Sequence, residues 1–228
     1  MSPTSPARSG RRALQAILFD MDGLLIDSEP LWFEVESEVV AHLGGQWEAA
    51  DQQLLVGGSL ERTVDHLLAR ATRAATREEV GRWLVDGMTA LLRERGVPVL
   101  PGARELLAEV IDAGLPNALV TSSERQIMDV VIQKIGIAFA ATVCAEDVSQ
   151  SKPAPEPYLR AAALLGVEPS GCIALEDSPN GVASAEAAGC LVVAVPSLTP
   201  IPTLPGRVVA SSLSQLDLAT LRGMMGSG

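Results

Sequence analysis

The fold is best predicted from one short stretch of the chain, Ala16-Ile17-Leu18-Phe19-Asp20-Met21-Asp22-Gly23. Its four apolar residues predict a buried strand that ends at the two aspartates. Residues two apart on a strand point to the same side, so Asp20 and Asp22 are expected to project together. Two carboxylates this close repel each other unless a cation lies between them. A divalent metal with a phosphate fits that arrangement, because hard cations take oxygen ligands. The same spelling also occurs in ordinary turns, so the rest of the chain must decide.

Composition narrows the class of protein. The chain has 228 residues, 47% of them apolar but only 3% aromatic. Aliphatic side chains of this kind usually fill a parallel sheet with helices on both faces. The net charge of −11 disfavours nucleic acid as a partner, because Lys and Arg contacts to phosphate dominate that affinity. A small anionic ligand is still compatible with this net charge if a local positive centre outweighs the repulsion from the whole protein.

The first residues, the apolar segments and the cysteines indicate the cellular compartment of the protein. Residues 1–13, rich in Ser, Pro and Arg, are expected to form a disordered tail. The apolar run after this tail is too short for a secretory signal, and no stretch has the length of a membrane span. Cys144, Cys172 and Cys190 are widely spaced and are expected to be buried thiols. We therefore expect a cytoplasmic protein that does not bind membranes. The sequence leaves its oligomeric state open, a monomer included.

Residues 30–98 predict a helical module without a strand. Leu31, Val35, Val39 and Leu43 recur on one helical face before Gly44. A second helix is expected from about residue 60 to residue 75. A third opens at Thr76 with the spelling of a capping box and continues to Gly96.

From residue 99 the pattern changes to short apolar strands that alternate with helices. The strands are expected near residues 118–120, 141–144, 172–175, 191–195 and 208–209. Such alternation predicts a parallel sheet with helices on both faces. The simplest assembly is an α/β protein with a doubly wound parallel sheet, built from residues 14–29 and 99–228. Residues 30–98 are then an inserted α-helical cap domain.

Polar residues lie where the predicted strands end. Ligands of doubly wound sheets bind at the carboxyl ends of the strands. The residues at these ends are Asp20 and Asp22, then Thr121, Lys152, Glu176 and Asp177. Their convergence on one edge is the specific functional signal of the sequence.

This ordered set resembles the haloacid dehalogenase-like (HAD) hydrolase superfamily, most of whose members are phosphatases. Asp20-x-Asp22-Gly23 looks like its first motif, Thr121 its second, Lys152 its third and Glu176-Asp177 its fourth. The resemblance covers nearly all of residues 14–200. It implies a Rossmann-like core, with residues 30–98 in the position of the family's helical cap.

The resemblance also implies roles for these residues. Asp20 would be the nucleophile that forms an aspartyl-phosphate, and Asp22 the general acid and base. Mg²⁺ would be held by the Asp20 side chain, the Asp22 backbone carbonyl and Asp177, with Glu176 in or near its ligand shell. Thr121 would donate to a phosphoryl oxygen, and Lys152 would neutralise the developing charge.

Structural interpretations exist for the same residues. Alone, Thr121 would be assigned as a helix N-cap, Lys152 as a solvated lysine and Glu176-Asp177 as a turn. Trp32 and Trp83 are expected in the core of the cap, whereas Arg62, Arg82 and Trp83 are the candidates to reach a substrate. His42 and His66 are expected to be surface or satisfied histidines.

The sequence favours a phosphatase for small phosphorylated metabolites, with sugar phosphates as the expected substrates. The spelling from Asp20 to Trp32 resembles the hexitol- and deoxyhexose-phosphate phosphatases of the family. A sugar phosphomutase is the alternative, but its cap cations are replaced here by Trp32, Leu60 and Trp83. Asp22 argues against a dehalogenase, because attack on a carbon–halogen bond involves no alkoxide leaving group and therefore needs no general acid. A receiver-like phosphoacceptor without turnover is a remote alternative, since such domains carry no cap of this size.

Overall fold

The computed structural model describes residues 13–55, 57–204 and 207–225. Most of the expected tail lies outside the described residues. Six strands form one parallel sheet in the order β3-β2-β1-β4-β5-β6. The strands are β1 Ala16–Phe19, β2 Asn117–Val120, β3 Ala141–Val143, β4 Cys172–Glu176, β5 Leu191–Ala194 and β6 Arg207–Val209. The doubly wound sheet that the sequence predicts is confirmed.

Each strand alternates its side chains between two apolar layers. Ile17 and Phe19 of β1 pack into one layer, and Ala16 and Leu18 into the other. The first layer is covered by α5 (Ala103–Asp112), α6 (Arg125–Ile135) and α9 (Leu218–Met225). The second is covered by α7 (Glu156–Leu165) and α8 (Pro179–Ala188). Cys144, Cys172 and Cys190 are buried free thiols, as expected.

Between β1 and α5, the described residues form four helices. They are α1 (Glu29–His42), α2 (Ala49–Leu55), α3 (Leu60–Arg70) and α4 (Arg77–Arg95). The capping box predicted at Thr76 is present, with Glu79 as its partner. The two linkers of this helical region are paired, since Asp27 N donates to Pro98 O at 2.8 Å and Leu100 N to Leu25 O at 2.9 Å.

Two sequence expectations about these helices need correction. Helix α3 ends at Arg70 rather than near residue 75, because the N–H groups of Thr72 and Arg73 donate to Leu43 O instead of continuing the helix. Helix α2 was not expected, since its seven residues give too short a pattern to read.

Candidate active site

Asp20 directly follows β1, at the edge of the sheet where the strands end. Its N–H donates to Leu175 O at 3.1 Å, so the β1–β4 pairing extends to this residue. The residue is 6% exposed. The chain then turns through Gly23, whose φ of +76° favours glycine. A Cβ at position 23 would overlap the Asp177 carboxylate, so the turn also needs glycine for space.

Lys152 brings distant parts of the chain together. Its Nζ atom donates to Asp20 Oδ1 at 2.5 Å, to Glu176 Oε1 at 2.6 Å and to Val120 O at 2.9 Å. Burial alone would lower the pKa of Lys152, but the charges of Asp20 and Glu176 outweigh burial and raise it. The lysine is therefore a fixed positive charge beside Asp20, and it is not a solvated loop residue.

Three buried acids surround this single ammonium group. Asp20, Glu176 and Asp177 each offer a carboxylate oxygen, and these oxygens lie within 4.8 Å of one another. Glu176 also accepts from the Tyr158 hydroxyl, and Asp177 Oδ2 accepts from Ser197 Oγ at 2.5 Å. Oxygen donors in this number fit a hard divalent cation such as Mg²⁺.

The electrostatics of the acids support the same fit. Burial and the charge of Glu176 raise the pKa of Asp20 well above its ordinary value, although Lys152 acts in the opposite direction. Burial and the charge of Glu176 also raise the pKa of Asp177, to about 8. Three carboxylates therefore exceed what one ammonium can neutralise, and a bound cation would remove this excess.

Asp22 faces the same cavity from the other side of the turn. Its Oδ2 accepts from Ser123 Oγ at 2.7 Å and from Thr121 Oγ1 at 3.2 Å. Its Oδ1 is buried and has no hydrogen-bond partner among the residues that the structure describes. A buried oxygen without a partner is costly, so Oδ1 is suited to a ligand or a reacting proton.

The cavity beside these residues is closed by the helical region. Asp20, Asp22, Lys152 and Asp177 line its floor. Its opposite wall comes from α1, α2, α3 and the loop before α3, and includes Glu29, Trp32, Glu36, Gln52, Leu55, Leu60 and Thr63. Asn180 Nδ2 donates to Gly57 O at 3.1 Å and joins this loop to α8.

Two glutamates dominate the opposite wall. Gln52 Nε2 donates to Glu29 Oε2 at 3.0 Å, and Trp47 Nε1 donates to Glu36 Oε2 at 3.1 Å. Burial and the charge of Asp22 raise the pKa of Glu29 to about 7. Burial and the charge of Glu29 raise the pKa of Glu36 to about 8. Within the described residues, Lys152 is the one lysine or arginine that lines the cavity.

The residues that the sequence singled out as substrate candidates lie elsewhere. Arg62 donates to Leu54 O at 3.1 Å, Arg82 lies in a groove between α3 and α4, and Trp83 packs against His42. Trp32 packs against the hydrophobic core, as expected, and also lines the cavity. His66 is satisfied by Asp51 at 2.9 Å, as expected.

Sequence reasoning missed the acidic wall, although a signal was present. Glu29, Trp32 and Glu36 have the spacing i, i+3 and i+7, which places them on one face of a helix. A polar stripe of this kind beside an apolar stripe could have indicated a second buried surface. Gln52 and Trp47 gave no comparable pattern.

The comparisons with known proteins agree with this fold. Residues 17–195 match the family described as haloacid dehalogenase-like hydrolase. The match covers well over half of the chain, and the chain therefore belongs to the haloacid dehalogenase-like hydrolase family.

Hexitol phosphatase B of Escherichia coli (strain K12) is 37% identical over 190 residues, which are 82% of this chain and 85% of that protein. A mutant of CbbY from Rhodobacter sphaeroides in complex with xylulose-(1,5)-bisphosphate has a TM-score of 0.84 at 27% identity, over 91% of this chain and 99% of that one. The β-phosphoglucomutase of Clostridium difficile has a TM-score of 0.80 over 93% of this chain and 97% of that one. At 22% identity, this third likeness shows the fold alone.

The described ranges contain no helix with both the length and the apolar character that crossing a bilayer requires.

Proposed function

We propose that this protein is a Mg²⁺-dependent phosphatase that hydrolyses small sugar phosphates through an aspartyl-phosphate on Asp20. The observation that carries the proposal is the contact of Lys152 Nζ with Asp20 Oδ1 at 2.5 Å, in a cavity that Asp22 also lines. A buried carboxylate beside a fixed positive charge can attack phosphorus while the charge on the phosphoryl oxygens is neutralised.

The first half of the reaction transfers the phosphoryl group to Asp20. Lys152 holds Asp20 Oδ1, and no described residue donates a hydrogen bond to Oδ2. Attack by the Asp20 carboxylate forms the new O–P bond while the bond from phosphorus to the sugar oxygen breaks. Asp22 gives its proton to that oxygen, which leaves as an alcohol.

The second half releases phosphate. Asp22, now ionised, takes a proton from a water molecule that attacks the phosphorus of the aspartyl-phosphate. The bond from phosphorus to the Asp20 oxygen then breaks, and the carboxylate is restored. Thr121 and Ser123, which contact Asp22 through their hydroxyls, are placed to orient this side chain or to donate to a phosphoryl oxygen.

Asp20, Asp177, Glu176 and the Asp22 backbone carbonyl are the groups that would hold Mg²⁺. When bound, the ion would neutralise charge on the phosphoryl oxygens and lower the repulsion among the acids. The oxygen-only donor set and the excess of buried carboxylates support this assignment.

A sugar phosphomutase is less well supported than a phosphatase. A mutase must hold a second phosphate away from the reacting one, which requires cationic side chains in the cap. In the part of the chain that the structure describes, the wall opposite Asp20 has Glu29 and Glu36 but neither lysine nor arginine. The named activity of the hexitol phosphatase relative also supports hydrolysis.

The test is steady-state release of inorganic phosphate from hexitol phosphates, with para-nitrophenyl phosphate as a general substrate. We expect turnover with Mg²⁺, its loss in EDTA and its loss in Asp20→Asn. Release of one equivalent of nitrophenolate per enzyme, with the phosphoryl group kept on the protein and no turnover, would indicate a phosphoacceptor. Interconversion of sugar phosphate isomers that outpaces phosphate release would indicate a mutase. Either outcome contradicts the proposal.

A further inference from the structure

Helix α1 presents a mixed acidic and aromatic stripe to the cavity. Glu29, Trp32 and Glu36 all line the space above Asp20. They lie at i, i+3 and i+7, so Glu36 is two turns, roughly 10 Å, farther along the helix than Glu29. Glu29 comes first, since the charge of Asp22 acts on Glu29. The charges that act on Glu36 are those of Glu29 and Asp51, so Glu36 lies farther from Asp22 than Glu29 does.

One oxygen of the Glu36 carboxylate is held by a neighbour and the other is left for a ligand. Trp47 Nε1 donates to Oε2 at 3.1 Å, which fixes the carboxylate plane. No donor among the described residues reaches Oε1. The residue is only 5% exposed, but Oε1 is not one of the fully buried side-chain atoms that lack a partner, so this oxygen is open to the cavity that Glu36 lines. A ligand in the cavity can therefore donate a hydrogen bond to Oε1.

The charge around Glu36 determines which ligand can supply that donor. The positive charge of Lys152 is committed to Asp20 and Glu176 at the floor of the cavity. Near Glu36 the acidic neighbours are Glu29 and Asp51, and Asp51 is paired with Arg70 and His66. Among the described residues, a second phosphate or a carboxylate would find no unpaired cation there, whereas a hydroxyl group would find an acceptor.

We propose that Glu36 is a specificity-determining residue, whose free oxygen accepts a hydrogen bond from a distal hydroxyl of the substrate, in a wall whose described residues offer no cation to a second anion. The substrate class is therefore a phosphate monoester of a neutral polyhydroxylated alcohol. This inference rests on the proposed phosphatase function. Trp32, an aromatic side chain in the same stripe, provides an apolar face for the carbon chain of such an alcohol.

The test compares two esters that differ only at the distal carbon. Sorbitol 6-phosphate ends in a hydroxyl, whereas 6-phosphogluconate ends in a carboxylate on a carbon chain of the same length. Para-nitrophenyl phosphate has no distal hydroxyl and reports the reacting centre alone. Values of kcat/KM for all three are measured in the wild-type protein and in Glu36→Gln, Trp47→Phe and Glu38→Gln. Glu38 is an exposed glutamate of the same helix and provides the matched control.

The wild-type protein is expected to prefer sorbitol 6-phosphate. In Glu36→Gln the preference over 6-phosphogluconate should fall by roughly tenfold, the upper end of what one neutral hydrogen bond contributes. Hydrolysis of para-nitrophenyl phosphate should fall by a smaller factor than hydrolysis of sorbitol 6-phosphate, because para-nitrophenyl phosphate has no hydroxyl that Glu36 could hold. Trp47→Phe should raise KM for sorbitol 6-phosphate more than KM for para-nitrophenyl phosphate. Glu38→Gln should match the wild-type protein on all three substrates.

Three results would overturn the inference. Glu36→Gln could lower kcat/KM for all three substrates by the same factor, which is what a purely structural role predicts. It could leave the preference unchanged, or the wild-type protein could hydrolyse 6-phosphogluconate as well as sorbitol 6-phosphate. Failure of the wild-type protein to hydrolyse para-nitrophenyl phosphate would instead contradict the proposed function itself.

Discussion

Gly181 lies against the carboxylate of Glu176 so closely that a Cβ at position 181 would overlap the carboxylate atoms. Gly181 is in the first turn of α8, and its N–H donates to the Ser178 N-cap hydroxyl at 3.1 Å. Glu176 is fully buried and accepts from Lys152 and Tyr158. The start of α8 therefore fixes the acid that positions the lysine beside Asp20.

We predict that Gly181→Ala pushes Glu176 away and displaces Lys152 with it. Misplacement of a reacting group by about 1 Å can cost a hundredfold in rate, so kcat should fall by up to about that factor. The measurement is phosphate release together with a thermal unfolding curve. Gly81→Ala in α4 is the control, since its Cβ would make only ordinary contacts of 3.7 and 3.8 Å. Equal kcat in Gly181→Ala and the wild-type protein would contradict the proposed role of Glu176.

Lys152→Met should lower both activity and stability. The substitution leaves Asp20 and Glu176 buried without their ammonium partner. Removing one member of a buried ion pair costs about 3–5 kcal/mol of unfolding free energy. Urea unfolding without Mg²⁺ measures this loss, and Lys134→Met, at an exposed lysine of α6, is the control. Unchanged stability would mean that the acids are already protonated beside Lys152.

The stability of the protein should also depend on Glu36 in a defined direction. Its pKa is raised from 4.5 to about 8 by burial and by Glu29, so the folded protein keeps a proton that the unfolded chain has lost. Between these values the unfolded state binds fewer protons, and stability falls as pH rises. Glu36→Gln removes this contribution.

The measurement is the unfolding free energy of Glu36→Gln, Glu38→Gln and the wild-type protein at pH 5 and pH 8. The advantage of Glu36→Gln over the wild-type protein should be larger at pH 8, by about 1.4 kcal/mol for each pKa unit titrated. Glu38→Gln should show no such growth. An advantage of Glu36→Gln that is constant with pH would show that Glu36 titrates normally.

The sequence predicted the sheet edge well, because its signals are local. Asp20, Thr121 and Glu176 each end an apolar run, and parallel strands bring such ends together. Lys152 was expected at the same edge, but it lies in a loop between β3 and α7 rather than directly at a strand end, and its long side chain reaches Asp20 from there. The assignment of the family and the fold is confirmed. The roles of the individual site residues stay predictions.

The acidic wall could not be predicted in the same way. Whether Glu36 is exposed or buried depends on how α1 packs against α3 and α4, and its donor Trp47 lies 11 residues away. Gln52, which holds Glu29, belongs to a seven-residue helix with little periodicity. Such contacts are set by tertiary packing, which local propensity does not specify.

Asp22→Asn should separate the two halves of the reaction. General acid catalysis is worth about 10²–10⁴-fold, and an alcohol with a high pKa needs it most. The rate of phosphoryl transfer from a hexitol phosphate should therefore fall by about that factor. The rate of transfer from para-nitrophenyl phosphate should fall much less. Because the proposed mechanism also uses Asp22 to activate water, the variant should release one burst of nitrophenolate and then turn over slowly. Equal losses for both substrates would contradict the acid role.

The most direct measurement is the chemical identification of the phosphorylated residue. Asp22→Asn is mixed with para-nitrophenyl phosphate and Mg²⁺, quenched during the burst, reduced with borohydride and digested for mass spectrometry. Borohydride converts an acyl phosphate to an alcohol, so we predict homoserine at position 20 that depends on substrate and is absent when Asp20→Asn is added. Modification at any other residue, or a nitrophenolate burst with Asp20 unmodified, would contradict the account.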